Sequence, residues 1–156
     1  MPRPLHEKST TEQIRHRFDA EVERFSKLET GQQATMDAPL ILDDVSQCAA
    51  SHLRAGGKLL ELGCGAGNFT LRVLERVSPL DCVLVDLSRP MLDRAELRVK
   101  AANPGEVQTI QSDMRELKFS PGSFDAILAG QVLHHLREDG KIPADLREVE
   151  LVNSPS

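Results

Sequence analysis

The sequence predicts an α/β fold, a Rossmann-like parallel sheet with helices on both faces. Beyond residue 57, short apolar segments alternate with amphipathic segments of helical length, and strands buried in a parallel sheet are apolar throughout. Three glycines at alternate positions join the first apolar segment to the helix that follows it. The expected strands are Lys58 to Leu62, Cys82 to Asp86, Val107 to Gln111 and Asp125 to Ala129. Right-handed crossovers would connect the first three as a βαβαβ unit.

Helices are expected between and after these strands. One runs from about Asn68 to Val77, and another from about Pro90 to Ala101, where Asn103-Pro104-Gly105 ends it. After the fourth strand, the segments Gln131 to Leu136 and Pro143 to Val152 have helical patterns. Helical segments are therefore expected after the fourth strand, to near the end of the chain.

Two further helices are expected before the first strand. The first begins near Ser9, ends at Gly31 and has apolar residues at intervals of three and four, namely Ile14, Phe18, Val22, Phe25 and Leu28. The second begins near Asp37, with Pro39 in its first turn, and ends at Gly56. Together they would cover the sheet or form a lid over its ligand.

The chain of 156 residues suits one domain. Residues 1–9 are polar and have no period, so a disordered leader is expected there. Residues 10–156 are then a single domain, in which residues 10–55 form the N-terminal helical cover or lid and residues 57–137 form the core that carries the site.

Composition excludes several classes of protein. Twenty-four acidic against 19 basic side chains give a net charge of -5, and Trp and Tyr are absent, so a nucleic-acid partner is disfavoured. No apolar run is long enough to span a membrane, and no secretory leader is evident, which favours the cytoplasm. Cys48, Cys64 and Cys82 include no close pair, so neither a disulfide framework nor a metal site is expected.

The glycine turn is the strongest indication of a ligand site. Gly63, Gly65 and Gly67 let the backbone turn sharply and approach a ligand closely, either a pyrophosphate or a nucleoside without one. Glu61 precedes the turn by two residues, and its carboxylate would repel a pyrophosphate but suits the amino and sulfonium cations of S-adenosylmethionine. The glycine spacing also departs from the dinucleotide pattern, so a nicotinamide-dependent enzyme is the weaker hypothesis.

Acidic residues follow the next two strands. Asp86 ends the second strand, where a carboxylate can accept hydrogen bonds from both ribose hydroxyls. Asp113 follows the third strand and is placed to accept from an adenine amino group, with Met114 and Leu87 as apolar walls for the ring. The sequence therefore predicts a nucleoside site at the carboxyl ends of three strands.

At these residues the chain resembles the class I S-adenosylmethionine-dependent methyltransferases. Segments similar to four successive motifs of that family occur in the usual order, namely Glu61 to Gly67, Asp86, Ser112 to Met114, and Phe124 to Leu136. The last stretch is most similar to the branch that methylates small molecules. The resemblance covers about residues 57 to 137 and implies a methyltransferase with a small-molecule acceptor.

The resemblance also implies roles for individual residues. Glu61 and the three glycines would surround the methionine part of S-adenosylmethionine, together with Cys64, whose thiol we interpret as structural. Asp86 would bind the ribose, and Asp113 with Met114 and Leu87 the adenine. Gln131, at the end of the fourth strand, would lie near the methionine part and the acceptor. The adjacent His134 and His135 are given no catalytic role.

One departure from the family concerns the end of the chain. The resemblance implies seven strands, whereas four are expected here, and Leu151 to Ser156 stands where a Leu-x-Pro-Gly-Gly turn would precede the fifth. An uncovered fourth strand would be an apolar edge that a partner or a second copy could cover. The alternative hypothesis is therefore a non-catalytic cofactor-binding or oligomerising module that results from truncation.

Overall fold

The computed structural model describes residues 10–20, 22, 38–102, 105–120 and 122–129. Its elements, in chain order, are α1 (Thr11–Ala20), α2 (Ala38–Ser51), β1 (Lys58–Leu62), α3 (Asn68–Leu74), β2 (Asp81–Asp86), α4 (Arg89–Ala102), β3 (Val107–Gln111), a 3-10 turn (Met114–Glu116) and β4 (Ala126–Ala129). All four expected strands are present within a residue of their expected bounds. The two helices expected after β4 lie outside the described residues.

The four strands form one parallel sheet in the order β3-β2-β1-β4. Leu62 at the end of β1 is in register with Val85 of β2 and Ala129 of β4. The chain moves outward from β1 to β3 and then returns to the other side of β1, so the strand order reverses between β1 and β4. Ligands of such sheets bind at the carboxyl ends of the strands near this reversal. The predicted Rossmann-like sheet is confirmed.

The two faces of the sheet bury different clusters, because successive side chains of a strand alternate between faces. Leu59 faces a cluster formed with α2, α3 and α4, which includes Leu42, Val45, Phe69, Val73, Leu92 and Val99. Leu60 and Leu62 face a second cluster, which residues of the segment 114–124 cover. In the described part of the chain the helices therefore pack on the first face.

Helix boundaries differ from the sequence expectation by a few residues. Helix α3 ends at Leu74 rather than at Val77, and the Arg76 amide donates to the Val73 carbonyl at 2.9 Å, a tightened last turn. Pro79 disfavours helical backbone at the residue before it, Ser78, so the helix ends ahead of this pair. None of the described helices combines the length and the hydropathy needed to cross a membrane.

Candidate functional site

The turn from β1 into α3 needs glycine at all three positions because each has a left-handed backbone. The φ angles are 64° at Gly63, 52° at Gly65 and 86° at Gly67. A Cβ on Gly67 would lie 3.3 Å from Val99 Cγ2, so this glycine also allows α4 to pack closely against the turn. A Cβ on Gly65 would meet nothing within 4 Å. Gly65 therefore borders open space, whereas Gly67 is packed against the protein.

Asp86 holds this turn in place. One oxygen of its carboxylate, Oδ2, accepts from the Gly65 amide at 2.8 Å, and Oδ1 accepts from the Ser88 amide at 2.9 Å. The Cys64 amide also bonds to β2, donating to the Val85 carbonyl at 2.9 Å. Burial raises the pKa of Asp86, while the amide hydrogen bonds from Ser88 and Gly65 act to lower it. The predicted ribose acceptor thus already contacts the glycine turn.

Glu61 lies beneath the turn and is almost completely buried, with 1% of its surface exposed. The hydroxyl of Thr70 on α3 donates a hydrogen bond to its Oε2 atom. Burial raises the pKa of Glu61 to about 8, an effect that the Thr70 hydrogen bond opposes and the nearby Asp86 carboxyl increases. At neutral pH the side chain is consequently mostly protonated.

The two carboxyls have no basic partner among the described residues, where no Lys, Arg or His forms an ion pair with Glu61 or Asp86. Arg98 on α4 contacts the turn but binds neither carboxyl. It donates to the Ala66 carbonyl at 2.7 Å and to Asn68 Oδ1 at 2.8 Å. The turn is therefore a site with acidic character, which favours a cationic ligand over an anionic one.

Arg98 is expected to stabilise the turn. Arg98→Ala removes its hydrogen bonds to the carbonyl oxygen of Ala66 and to the Asn68 side chain, which should lower the free energy of unfolding by about 1–3 kcal/mol. Lys100→Ala on the same helix is the control, because its exposed pair with Glu96 contributes at most about 1 kcal/mol. Urea denaturation of both variants measures the difference. Equal stability of the two variants would contradict this role for Arg98.

The residues predicted to surround an adenine lie at the same edge of the sheet. The Ser112 amide donates to the Asp86 carbonyl at 3.1 Å, and Gln111 Nε2 donates to the Leu87 carbonyl at 2.9 Å. Leu87, Asp113 and Met114 are all partly buried, and Met114 packs against the second cluster. The fold thus brings the segments that contain Asp86 and Asp113 together, while their roles toward a ligand remain predictions. Gln131, His134 and His135 lie outside the described residues.

The structure adds three residues that the sequence did not single out. Thr70 binds Glu61, Arg98 holds the turn, and Asp19 on α1 accepts a hydrogen bond from the Ser88 hydroxyl. Ser88 Oγ also accepts from the Met91 amide at 3.3 Å and so caps α4. Through the hydrogen bond between Asp19 and Ser88, α1 contacts the segment that follows β2, while the cover or lid over the site stays a prediction. In the sequence, Asp19 is one of several polar residues on that helix, and nothing there distinguishes it.

Cys64 is buried, and desolvation raises the pKa of its thiol well above the usual range, with the carboxyls of Asp86 and Glu61 adding to the effect. A thiol in this state is a poor nucleophile. The structural interpretation of its side chain is thus favoured. Within the described ranges, no group of three or more His, Cys, Asp or Glu residues is placed to hold a metal ion.

The sheet order, the three-glycine turn after β1 and the acid at the end of β2 define a Rossmann-like domain, in which the nucleoside site stays a prediction. Residues 59–155 match the family described as a methyltransferase domain, and the chain belongs to this family. The resemblance to class I methyltransferases is therefore confirmed.

Relatives among characterised proteins agree with the family. The chain is 31% identical to a demethylmenaquinone methyltransferase of Symbiobacterium thermophilum over 109 residues, which are 69% of this chain and 42% of the relative. It is 32% identical to a malonyl-[acyl-carrier protein] O-methyltransferase of Legionella pneumophila over 96 residues, 62% of this chain and 33% of the relative. The chain thus spans less than half the length of these two relatives.

Solved structures share the fold. The YcgJ protein of Bacillus subtilis has a TM-score of 0.52 and 26% identity, covering 63% of this chain and 40% of its own. The magnesium protoporphyrin IX methyltransferase of Synechocystis PCC 6803, with bound S-adenosylmethionine, has a TM-score of 0.59 and 17% identity over 81% of this chain and 64% of its own. The [4+2]-cyclase SpnF has a TM-score of 0.60 and 22% identity, covering 80% and 50%. Since one of these neighbours is a cyclase, the fold alone does not fix the reaction.

Proposed function

We propose that the chain is the cofactor-binding part of a methyltransferase that uses S-adenosylmethionine and acts on a small molecule. The observation that carries the proposal is the acidic glycine turn, in which Gly65 has open space beside it, Asp86 holds the Gly65 amide, and Glu61 is buried beneath. The Asp86 carboxyl, and the Glu61 carboxyl once it is ionised, have no described basic partner, which favours a cationic nucleoside and disfavours the pyrophosphate of a dinucleotide. A sulfonium nucleoside has the required charge.

The residue assignments follow from this position and belong to the proposal. Glu61, Gly63, Cys64, Gly65 and Gly67 would surround the methionine part of the cofactor. A second set at the neighbouring strand ends would hold the nucleoside, namely Asp86 on the ribose and Leu87, Asp113 and Met114 on the adenine. Gln131 would lie near the methionine part of the cofactor.

The chemistry proposed needs few catalytic side chains. S-adenosylmethionine supplies an activated methyl group, which an acceptor takes by in-line displacement. The chain would contribute binding, alignment and exclusion of water, to which such a displacement is sensitive. The two relatives, a demethylmenaquinone methyltransferase and a malonyl-[acyl-carrier protein] O-methyltransferase, support an acceptor other than nucleic acid. The net charge of -5 supports the same choice.

Two further statements belong to the proposal. We place the protein in the cytoplasm because Cys48, Cys64 and Cys82 are all free thiols, as a reducing compartment would keep them. We also propose that a second copy can cover β4, which is an edge of the four described strands. The molar mass in solution, measured by light scattering, tests this last point, and a strict monomer at high concentration would contradict it.

Titration calorimetry with S-adenosylmethionine and with NAD tests the proposed cofactor. Saturable heat with S-adenosylmethionine and none with NAD is expected, and the reverse result would refute the proposal. A methyl-release assay with a panel of quinones, phenols and carboxylic acids then tests the reaction. Cofactor binding without methyl transfer to any of them would favour the alternative of a non-catalytic binding module.

A further inference from the structure

We infer that Glu61 is a proton switch for the cofactor site: its buried carboxyl is neutral in the empty site and gives its proton to solvent when a cationic nucleoside binds, and Thr70 is the residue that positions it. The inference rests on the proposed function, because the sulfonium cofactor is the cation in question. It adds a prediction that the family assignment does not contain, namely that cofactor affinity depends on pH through this one side chain.

The first support is the environment of the carboxyl. Glu61 is on β1, which lies between β2 and β4, and only 1% of its surface is exposed. Its side chain points toward α3, where its described hydrogen-bond partner is Thr70. Thr70 is itself fully buried, with 0% of its surface exposed. A carboxylate with so little solvation and no adjacent cation is costly, so the protonated form is favoured until a positive charge arrives.

The second support is the charge around it. Three titratable groups interact electrostatically with Glu61, namely Asp86 at the end of β2, Cys64 in the turn and Cys82 on β2. Each of them is either neutral or negatively charged, so none can stabilise the Glu61 carboxylate. Strand β4 contributes Ala126 to Ala129, none of which can ionise. Of the basic residues on the packed helices α3 and α4, Arg89 lowers the pKa of the neighbouring Cys64 thiol but is paired with Asp93 and is not among the causes of the shift at Glu61. Arg72 pairs with Glu75, and Arg98 binds Ala66 and Asn68.

The third support is the position of the carboxyl under the turn. Glu61 lies two residues before Gly63, on the strand that enters the turn, so a cation that binds against the turn would be close to this residue. A positive charge held close in a poorly solvated site favours the ionised carboxyl. The O–H bond of Glu61 then breaks, its electron pair stays on the carboxylate, and the proton leaves to water.

Proton counting on the full 156-residue chain tests the switch. Calorimetry with S-adenosylmethionine is run near pH 7 in phosphate and in Tris, whose ionisation enthalpies differ, so that the difference in heat counts released protons. The wild type is expected to release most of one proton per cofactor bound, and Glu61→Gln none beyond what the ligand itself contributes. Gln has nearly the same size and can still accept from Thr70, which makes it a matched control.

The pH profile gives the second readout. Between about pH 6 and 7.5, below the range in which the ligand's amino group titrates, wild-type affinity should increase by up to about tenfold per pH unit. Glu61→Gln should show a much smaller slope. The Thr70 hydrogen bond favours the ionised carboxyl, so Thr70→Val should shift the profile to higher pH, and Thr70→Ser should restore it. A residue with only a structural role would change stability without moving this profile.

The ligand-free protein offers an independent test of the neutral carboxyl. Because the pKa of Glu61 is raised to about 8 in the folded state, the native chain holds a proton that the unfolded chain has lost above its ordinary pKa of 4.5. Folding stability should therefore fall as pH rises from about 5 to 8, and the melting temperature of Glu61→Gln should fall less over the same range.

The outcomes separate this inference from the proposed function. Tight binding of S-adenosylmethionine with equal proton release in the wild type and Glu61→Gln would overturn the proton switch and leave the proposed cofactor standing. No binding at any pH would remove the proposed cofactor and the switch with it. An unchanged pH profile in Thr70→Val, with the fold intact by circular dichroism, would overturn the role of Thr70.

Discussion

Asp86→Ala is expected to weaken S-adenosylmethionine binding at least about a hundredfold, since two hydrogen bonds to a charged acceptor contribute roughly 1.5–3 kcal/mol each. The carboxylate already accepts from the amides of Gly65 and Ser88, so its removal also breaks one of the hydrogen bonds that join the glycine turn to β2. Both effects act against the ligand. Isothermal calorimetry gives the change in dissociation constant, and circular dichroism checks the fold.

Asp81→Ala is the matched control for this experiment. Asp81 begins the same strand that Asp86 ends, and its carboxylate likewise accepts from a backbone amide, that of Glu106 at 3.2 Å. It lies at the opposite edge of the sheet from the glycine turn. Its loss should lower stability slightly and leave cofactor affinity unchanged. Similar affinity losses in both variants would point to a general weakening of the sheet and against the ribose assignment.

Gly67→Ala is expected to destabilise the fold by about 2–4 kcal/mol, the second large effect. Its φ of 86° is strained for any side chain, and the added Cβ would lie 3.3 Å from Val99 Cγ2 and 3.4 Å from Ala95 Cβ. Because the core is closely packed, α4 or the turn has to move to make room. Urea denaturation measures the loss.

Gly65→Ala separates this packing effect from a binding effect in the same turn. Its φ of 52° also disfavours a side chain, but the new Cβ would meet nothing within 4 Å, so about 1 kcal/mol of stability should be lost. The Cβ would point into the space proposed for the cofactor, and affinity for S-adenosylmethionine should fall at least about tenfold. If Gly65→Ala bound the cofactor as tightly as the wild type, that space would not be the site.

Much of the fold could be predicted because it depends on local pattern. Strands β1 to β4 are short apolar segments bounded by turns, and the parallel arrangement of β1, β2 and β3 follows from the helices between them. The glycine turn and Asp86 were recognisable because left-handed backbone and a strand-end acid leave a distinct order of residue types. Family membership, confirmed by the match over residues 59–155, depended on the same segments.

The ionisation of Glu61 could not be predicted from the sequence. A carboxylate beside a glycine turn was expected to meet the cofactor as an anion, yet the structure buries it under α3 against Thr70, with its pKa raised to about 8. Thr70 and Arg98 were missed for a related reason. Their partners lie nine and more than twenty-five residues away in the chain, and no periodic pattern encodes such a contact.

The amino-acid order by itself determined the sheet, the turn and the identity of the acids, because strand burial and glycine conformation are properties of a few adjacent residues. The tertiary structure alone decided that the Glu61 carboxyl is mostly protonated and that the Asp86 carboxyl accepts hydrogen bonds from backbone amides. Charge state depends on desolvation, and desolvation is set by helices brought over the strand from elsewhere in the chain. That is why Asp86 and Glu61, both carboxyls at neighbouring strand ends, have different surroundings and are proposed to do different work.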